Sequence, residues 1–147
     1  MADTSSPRIR SFDLFRSIMQ AQRKAAEEWV RARGLTFEQA VVIGYLEQVP
    51  GAKQRDIADM SKTTPANISL MLKVLEGRSL VERRTENGDE RSKRVYATAT
   101  GIALIAGLNE AVAEVDEGIF APLTPAEQHT LEALLDKVNA ALPAYQP

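Results

Sequence analysis

Apolar residues recur at helical spacing along most of the chain and change period once. Phe12, Phe15, Met19, Ala26, Trp29 and Val30 mark a long first helix, and Gly34 stands where a left-handed C′ residue would end it. Residues 2–7 before it read as a disordered lead. Thr36 and Gln39 form a capping box, the threonine hydroxyl accepting from the backbone while the glutamine reaches back. The helix it opens carries Ala40, Val41, Val42, Ile43, Tyr45 and Leu46 and stops at Pro50-Gly51. A short helix over about residues 53–60 turns Ile57, Ala58 and Met60 inward, and Ser61-Lys62-Thr63 is a polar turn. Thr64 at an N-cap and Pro65 at N1 start the next helix. Its buried stripe is Ile68, Met71, Leu72 and Leu75, which leaves Thr64, Ala66, Asn67, Ser69 and Lys73 outside.

The period then drops to two. Residues 80–85 and 93–98 read as strands, joined through a polar loop, Glu86 to Ser92, with Asn87-Gly88 as the hairpin turn signal. From Thr98 to Gly118 the pattern returns to one continuous helix with two apolar stripes. Ile102, Ile105, Val112 and Ile119 form one, and Leu104, Leu108, Ala111 and Val115 the other. Such a helix is buried on more than one side. Thr124, Pro125 and Glu127 form a second capping box, opening a last amphipathic helix marked by Leu131, Leu134, Leu135, Val138 and Leu142.

This order predicts a mainly α protein with a small β-hairpin wing, a winged helix-turn-helix lobe attached to a helical region. A short helix, a turn and a helix with a small polar exposed face is the helix-turn-helix arrangement. The second helix fits a major groove roughly 12 Å wide. Thr64, Asn67 and Ser69 offer short hydrogen-bonding groups to base edges, Pro65 and Ala66 offer apolar contact to a thymine methyl, and Lys73 offers a cation to phosphate. On the hairpin, Arg91, Lys93 and Arg94 are placed to reach the minor groove and flanking phosphates. The bland reading of each set is a solvated surface, and it is the pairing of helix with wing that favours nucleic acid.

Charge changes this picture by its distribution. The 147 residues carry a net charge of −2. Residues 1–52 hold 7 basic and 6 acidic groups, residues 53–94 hold 10 and 7, and residues 95–147 hold one basic group, Lys137, against 7 acidic. A locally basic stretch inside an acidic chain points to a polyanion at one site. The absence of cysteine excludes disulfides, thiolate zinc sites and a cysteine nucleophile. The lone histidine, His129, rules out a multi-histidine metal cluster within one chain and reads as a surface residue. No apolar run approaches the roughly 18 residues of a membrane span, and Met1 to Arg10 lack a hydrophobic signal core. With no glycine-rich phosphate loop and no paired-carboxylate motif, the chain is expected to be a cytoplasmic non-enzyme without metal or cofactor.

The residues Leu35-Thr36-Phe37-Glu38-Gln39, Ile57-Ala58, Ile68-Ser69, Leu80-Val81-Glu82-Arg83-Arg84 and Asp89-Glu90-Arg91-Ser92-Lys93 resemble MarR-type winged-helix regulators. The resemblance spans about residues 10–142, with the Asp-x-Arg wing its most specific part. It implies a homodimer on a pseudopalindromic DNA site, with residues 8–33 and 99–142 as dimerisation helices and residues 36–98 as the DNA-binding lobe of a single domain, 1–147. It also implies release from DNA by a small, often aromatic or phenolic, effector bound between the dimer helices and the lobe. Arg16, Met19 and Tyr45 are the candidates to meet that effector. By position, Arg91 becomes the minor-groove residue, and Asp89 braces the wing against Arg83. Leu70 and Val74 depart from the family by standing where basic residues are often found, and Ser79 stands where a glycine usually makes a left-handed turn, with Gly77 two residues earlier to relieve it. Three readings stay open on sequence alone: an effector-released repressor, a regulator without effector, and a winged-helix protein-interaction module that does not bind DNA.

Overall fold

The computed structural model describes residues 7–86 and 88–143, with side chains over residues 10–86 and 93–143. Seven helices and three strands follow one another among the described residues: α1 (Pro7–Arg31), α2 (Phe37–Gln48), β1 (Ala52–Lys53), α3 (Gln54–Met60), α4 (Pro65–Gly77), β2 (Val81–Glu86), β3 (Asp89–Ala97), α5 (Ala99–Ile105), α6 (Leu108–Phe120) and α7 (Pro125–Ala140). Pro7 is the first residue of α1 rather than part of a lead, and residues 1–6 lie outside the described residues. No described helix is long and apolar enough to cross a membrane.

The chain divides into two compact units, Met1–Val112 and Ala113–Pro147. The first is built on one apolar cluster. Val30 of α1, Val42, Ile43 and Leu46 of α2, Ile57 of α3, and Ile68, Leu72 and Leu75 of α4 are almost wholly buried, together with Val81, Val95 and Ile105. Fully burying side chains of this size stabilises by about 1.5–3 kcal/mol each. They fix which face of α4 turns inward and therefore which face is presented outward.

Local signals set the helix limits. Thr36 Oγ1 accepts from the Gln39 amide at 3.2 Å while the Gln39 side chain accepts from the Thr36 amide at 3.0 Å, the reciprocal box read from sequence. Three helices end in one device. Leu35, Thr63 and Leu80 each donate their amide to a carbonyl five residues back, and Gly34, Lys62 and Ser79 each donate to one three residues back. The earlier residue of each pair, Gly34, Lys62 and Ser79, is left-handed, with φ of 70°, 49° and 58°. This is the Schellman closure.

Only Gly34 adopts that conformation without cost. Ser79 lacks the expected relief, because Gly77 lies inside α4 without positive φ. Ser79 is held there from outside: Thr98 Oγ1 donates to its carbonyl at 2.7 Å and Thr98 N donates to Leu80 O at 3.1 Å. The left-handed state costs a residue with a Cβ roughly 1–2 kcal/mol, partly offset by the extra freedom a glycine has when unfolded. Ser79→Gly is expected to raise stability by about 1 kcal/mol, roughly 3 °C in Tm. Thermal melts of the two proteins under one buffer check this, and a Tm at or below the wild type's would contradict it.

The sheet is antiparallel in the order β1-β3-β2. The two-residue β1, too short to show a period in the sequence, pairs Ala52 with Val95 and Lys53 with Arg94. In the hairpin Thr85 opposes Lys93 but Glu86 opposes Asp89. Residues 90–92 are thus extra on β3, and the polar loop read from Glu86 to Ser92 is mostly strand with a bulge. Gly88 has φ 75°, as the turn signal requires, and Asn87 lies outside the described residues.

The helix expected to run unbroken from Thr98 to Gly118 is two helices. Thr98 caps α5 by accepting from Gly101 N at 3.0 Å. Ala106 leaves the helical region at ψ 130° and Gly107 turns left-handed at φ 90° before α6 begins. The two-stripe pattern survived the break because it runs on past the turn. Gly101 is required by packing, since a Cβ there would stand 2.1 Å from Leu80 O.

In the second unit, Thr124 and Glu127 form the predicted capping box at the start of α7. Its Gln128 Nε2 donates to Phe120 O and Leu123 O, closing the preceding turn. Leu134, Leu135, Val138 and Leu142 are exposed. So are Phe12, Phe15 and Met19 of α1 in the first unit.

Candidate nucleic-acid interface

Helices α3 and α4 and the turn between them form the helix-turn-helix. Ile57 and Ala58 anchor α3 in the core, and Ile68, Leu72 and Leu75 anchor α4. Gln54 Nε2 of α3 donates to Pro65 O at 3.2 Å and ties the start of one helix to the start of the other. Thr64 is the N-cap, its Oγ1 accepting from Asn67 N at 3.2 Å. That hydroxyl therefore works first on the backbone. Asn67 Nδ2 donates to Thr63 Oγ1 at 3.2 Å, which fixes the orientation of the amide. Pro65, Ala66, Asn67 and Lys73 are exposed with Thr64, whereas Ser69 is half-buried and less accessible than its place in the sequence suggests.

The outward face of α4 also carries Leu70, 64% exposed, and Val74, 51% exposed. The sequence marked these two only as missing cations. The single acidic residue of α4, Glu76, is turned to the wing, where its Oε2 lies 3.1 Å from Arg83 Nε in an ion pair without aligned hydrogen-bond geometry.

That pair ties β2 to α4, and the expected brace of Asp89 against Arg83 falls on a side chain outside the described residues. The Asp89 backbone opposes Glu86 of β2. Arg83 holds α4 through Glu76. The side chain of Asp89 lies outside the described residues, as does that of Arg91; the Arg91 backbone belongs to the bulge on β3. Arg94 is turned inward as well. Its Nε donates to Glu86 Oε2 at 3.2 Å and its Nη1 to Gly51 O at 3.3 Å, joining β2, β3 and the turn before β1. Lys93 is exposed. Arg84 stacks on Tyr96, 4.4 Å from the ring centre, and pairs with Glu82.

Lys73 from the helix and Lys93 from the wing line one cleft of about 410 Å³ with Arg83, Thr85 and Glu76. Three cations against one carboxylate make this groove attractive to an anion, and its two walls are the elements that would straddle a DNA backbone.

The candidate effector residues sit apart from that cleft. Arg16 is exposed on α1 and pairs with Asp13 at 3.6 Å, and Met19 is exposed on the same helix. Tyr45 packs against the core. A second cavity, of about 340 Å³ between α1 and α2, is lined by Glu27, Arg31, Leu35, Thr36, Phe37 and Glu38, and so by none of the three. His129 is exposed, with Nδ1 3.1 Å from Pro125 O of its own helix. Among the described residues no group of three or more acidic, histidine or cysteine side chains is placed to hold a metal ion.

The sequence model of the MarR family matches residues 33–92, the stretch that contains the helix-turn-helix and most of the wing. The transcriptional regulator HosA of Escherichia coli O157:H7 is 30% identical over 104 residues, 71% of this chain and 77% of its own length. The HTH-type transcriptional repressor Rv2887 of Mycobacterium tuberculosis is 29% identical over 107 residues, 73% and 77% of the two chains. Among solved structures, a variant of MepR from Staphylococcus aureus bound to an oligodeoxyribonucleotide superposes with a TM-score of 0.70 at 27% identity, over 90% of this chain and 98% of that one. A helix-turn-helix with a braced hairpin on the same scaffold carries the same conclusion from the geometry. The chain belongs to the MarR family of transcriptional regulators.

Proposed function

We propose that the protein is a homodimeric, sequence-specific DNA-binding repressor acting in the cytoplasm. The observation that carries this reading is the shared cleft of Lys73 and Lys93, because it aligns a capped, outward-facing helix with a wing around one anionic path. The relatives support it: HosA and Rv2887 are named as a transcriptional regulator and a transcriptional repressor, and the MepR variant holds an oligodeoxyribonucleotide. In this reading Asn67 and Ala66 contact base edges, while Lys73, Lys93 and Arg91 supply charge to the phosphates and the minor groove. Thr64 and Pro65 set the helix start against the duplex, Ser69 contributes at the edge of the contact, and Arg94, Arg83 and Glu76 hold the frame.

The dimer is proposed to form through residues 8–33 and 99–142, where Phe12, Phe15 and Met19 in the first unit and Leu134, Leu135, Val138 and Leu142 in the second leave apolar surface uncovered. A small aromatic or phenolic effector is proposed to relieve repression, meeting Arg16, Met19 and Tyr45.

Selection of bound duplexes from a random pool tests the DNA reading. The expected product is a pseudopalindrome with half-sites about one helical turn apart, roughly 34 Å centre to centre. A pool that stays random after repeated rounds would reject it.

A further inference from the structure

The outward ridge of α4 is apolar where a DNA-reading helix commonly carries charge. Ala66, Leu70 and Val74 follow one another at four-residue steps on the face opposite Ile68, Leu72 and Leu75. Leu70 and Val74 are among the exposed large hydrophobic side chains of the molecule, and no acidic side chain shares their face. Lys73 flanks this ridge on the side of the wing, where Lys93 faces it across the cleft. An apolar strip with cations along one edge suits a surface that is itself apolar in the middle with anionic groups beside it. The major groove of a thymine-bearing duplex is such a surface: the C5-methyl of thymine projects into the groove floor between two phosphate walls.

We propose that Leu70 and Val74 read thymine methyl groups, so that this regulator's base preference rests on apolar contacts to T at these positions rather than on guanidinium contacts to guanine. The proposal rests on the DNA-binding reading above and names what that site recognises. The two side chains are four residues apart, about 6 Å along the helix axis. That spacing is close to two base steps of roughly 3.4 Å. Each half-site is therefore expected to hold two thymines, on either strand, about two steps apart. Ala66, one turn earlier, keeps the ridge low enough for the strip to approach the groove floor.

Uracil isolates the methyl, since it keeps every hydrogen-bonding group of thymine. The experiment is a fluorescence anisotropy titration of the intact protein on its selected duplex, with each half-site thymine replaced in turn by uracil, symmetrically in both halves. The expected loss is about fourfold per methyl, and so about sixteenfold for a symmetric pair, at no more than two positions per half-site. Leu70→Ala should bring thymine and uracil within twofold of each other at one of these positions, Val74→Ala at the other, and Leu70→Met should retain the preference. Both residues are exposed, and thermal melts of the variants matching the wild type's are the control that they fold. Wild-type binding that is specific yet indifferent to uracil at every half-site thymine would overturn this inference and leave the DNA-binding reading standing. A preference for thymine that persists in both alanine variants would also overturn it. Failure of the wild type to prefer any duplex over a scrambled one would overturn both.

Discussion

Glutamate at Phe12 and Val138 together is expected to convert the protein from a dimer to a folded monomer and to abolish operator binding. The two residues are 71% and 62% exposed in the single chain, so charging them removes little from its own core. In a symmetric dimer each substitution occurs twice, and four large apolar side chains leave the interface. At about 1.5 kcal/mol or more for each, the loss is roughly 6 kcal/mol, more than four powers of ten in dissociation constant. Leu108 and Val112, to which the two-stripe pattern pointed, are poorer probes, because Leu108 packs against the core of the first unit and a charge there would unfold it. Sedimentation equilibrium at micromolar concentration gives the answer. The wild type should weigh twice the chain's 16.1 kDa and the double variant once, with an unchanged far-ultraviolet spectrum. A wild type of single mass would remove the dimer from the account.

On the wing, Arg91→Ala is expected to lower operator affinity at least tenfold, about 1.4 kcal/mol. The bulge at residues 90–92 gives β3 three residues with no counterpart on β2, and a bulge re-aims the chain that carries it. A minor groove narrowed by A·T steps has an enhanced negative potential that attracts an inserted arginine, so the loss should fall chiefly on duplexes with A·T flanks. Lys93→Ala should instead weaken all duplexes alike and reduce the log–log salt slope by about 0.9. Arg94→Ala should resemble neither, because Arg94 holds Glu86 and Gly51; its signature is a lower melting temperature. Titrations on two duplexes differing only in their flanks, at several salt concentrations, separate these outcomes. Equal, small losses for Arg91→Ala on both duplexes would reduce the wing to a scaffold.

What the sequence revealed and what it concealed follow from the range of the forces involved. The capping boxes at Thr36 and Thr124, the Thr64-Pro65 start and the stripe of Ile68, Leu72 and Leu75 are local, and each was legible within a few residues. The left-handed Ser79 was legible only through the family resemblance, which places a glycine there; the structure shows the Schellman closure that requires it. Lys62 takes the same conformation and was read only as part of a polar turn, since a lysine carries no signal for it. The strand β1 was invisible, its two residues being held by pairing with β3 some forty positions away. The break at Gly107 hid inside an apolar pattern that it does not interrupt. In the site, exposure of Asn67 and Lys73 followed from the stripe they avoid. The assignments of Arg83 to Glu76 and of Arg94 to Glu86 and Gly51 did not, because ion pairing depends on strand register and on which face of the hairpin meets α4. Leu70 and Val74 were seen as absences of charge; only their exposure gives them a positive role.

The central claim is that α4 and the wing bind duplex DNA by sequence. The measurement that tests it most directly is the wild-type dissociation constant for the selected duplex against a scrambled duplex of equal length and composition, at several salt concentrations near physiological. The selected duplex is expected to bind at least 10³-fold more tightly. Binding to both is expected to weaken linearly in log–log salt with a slope of about −0.9 for each phosphate neutralised. Equal affinities for the two duplexes, or binding indifferent to salt, would contradict the claim.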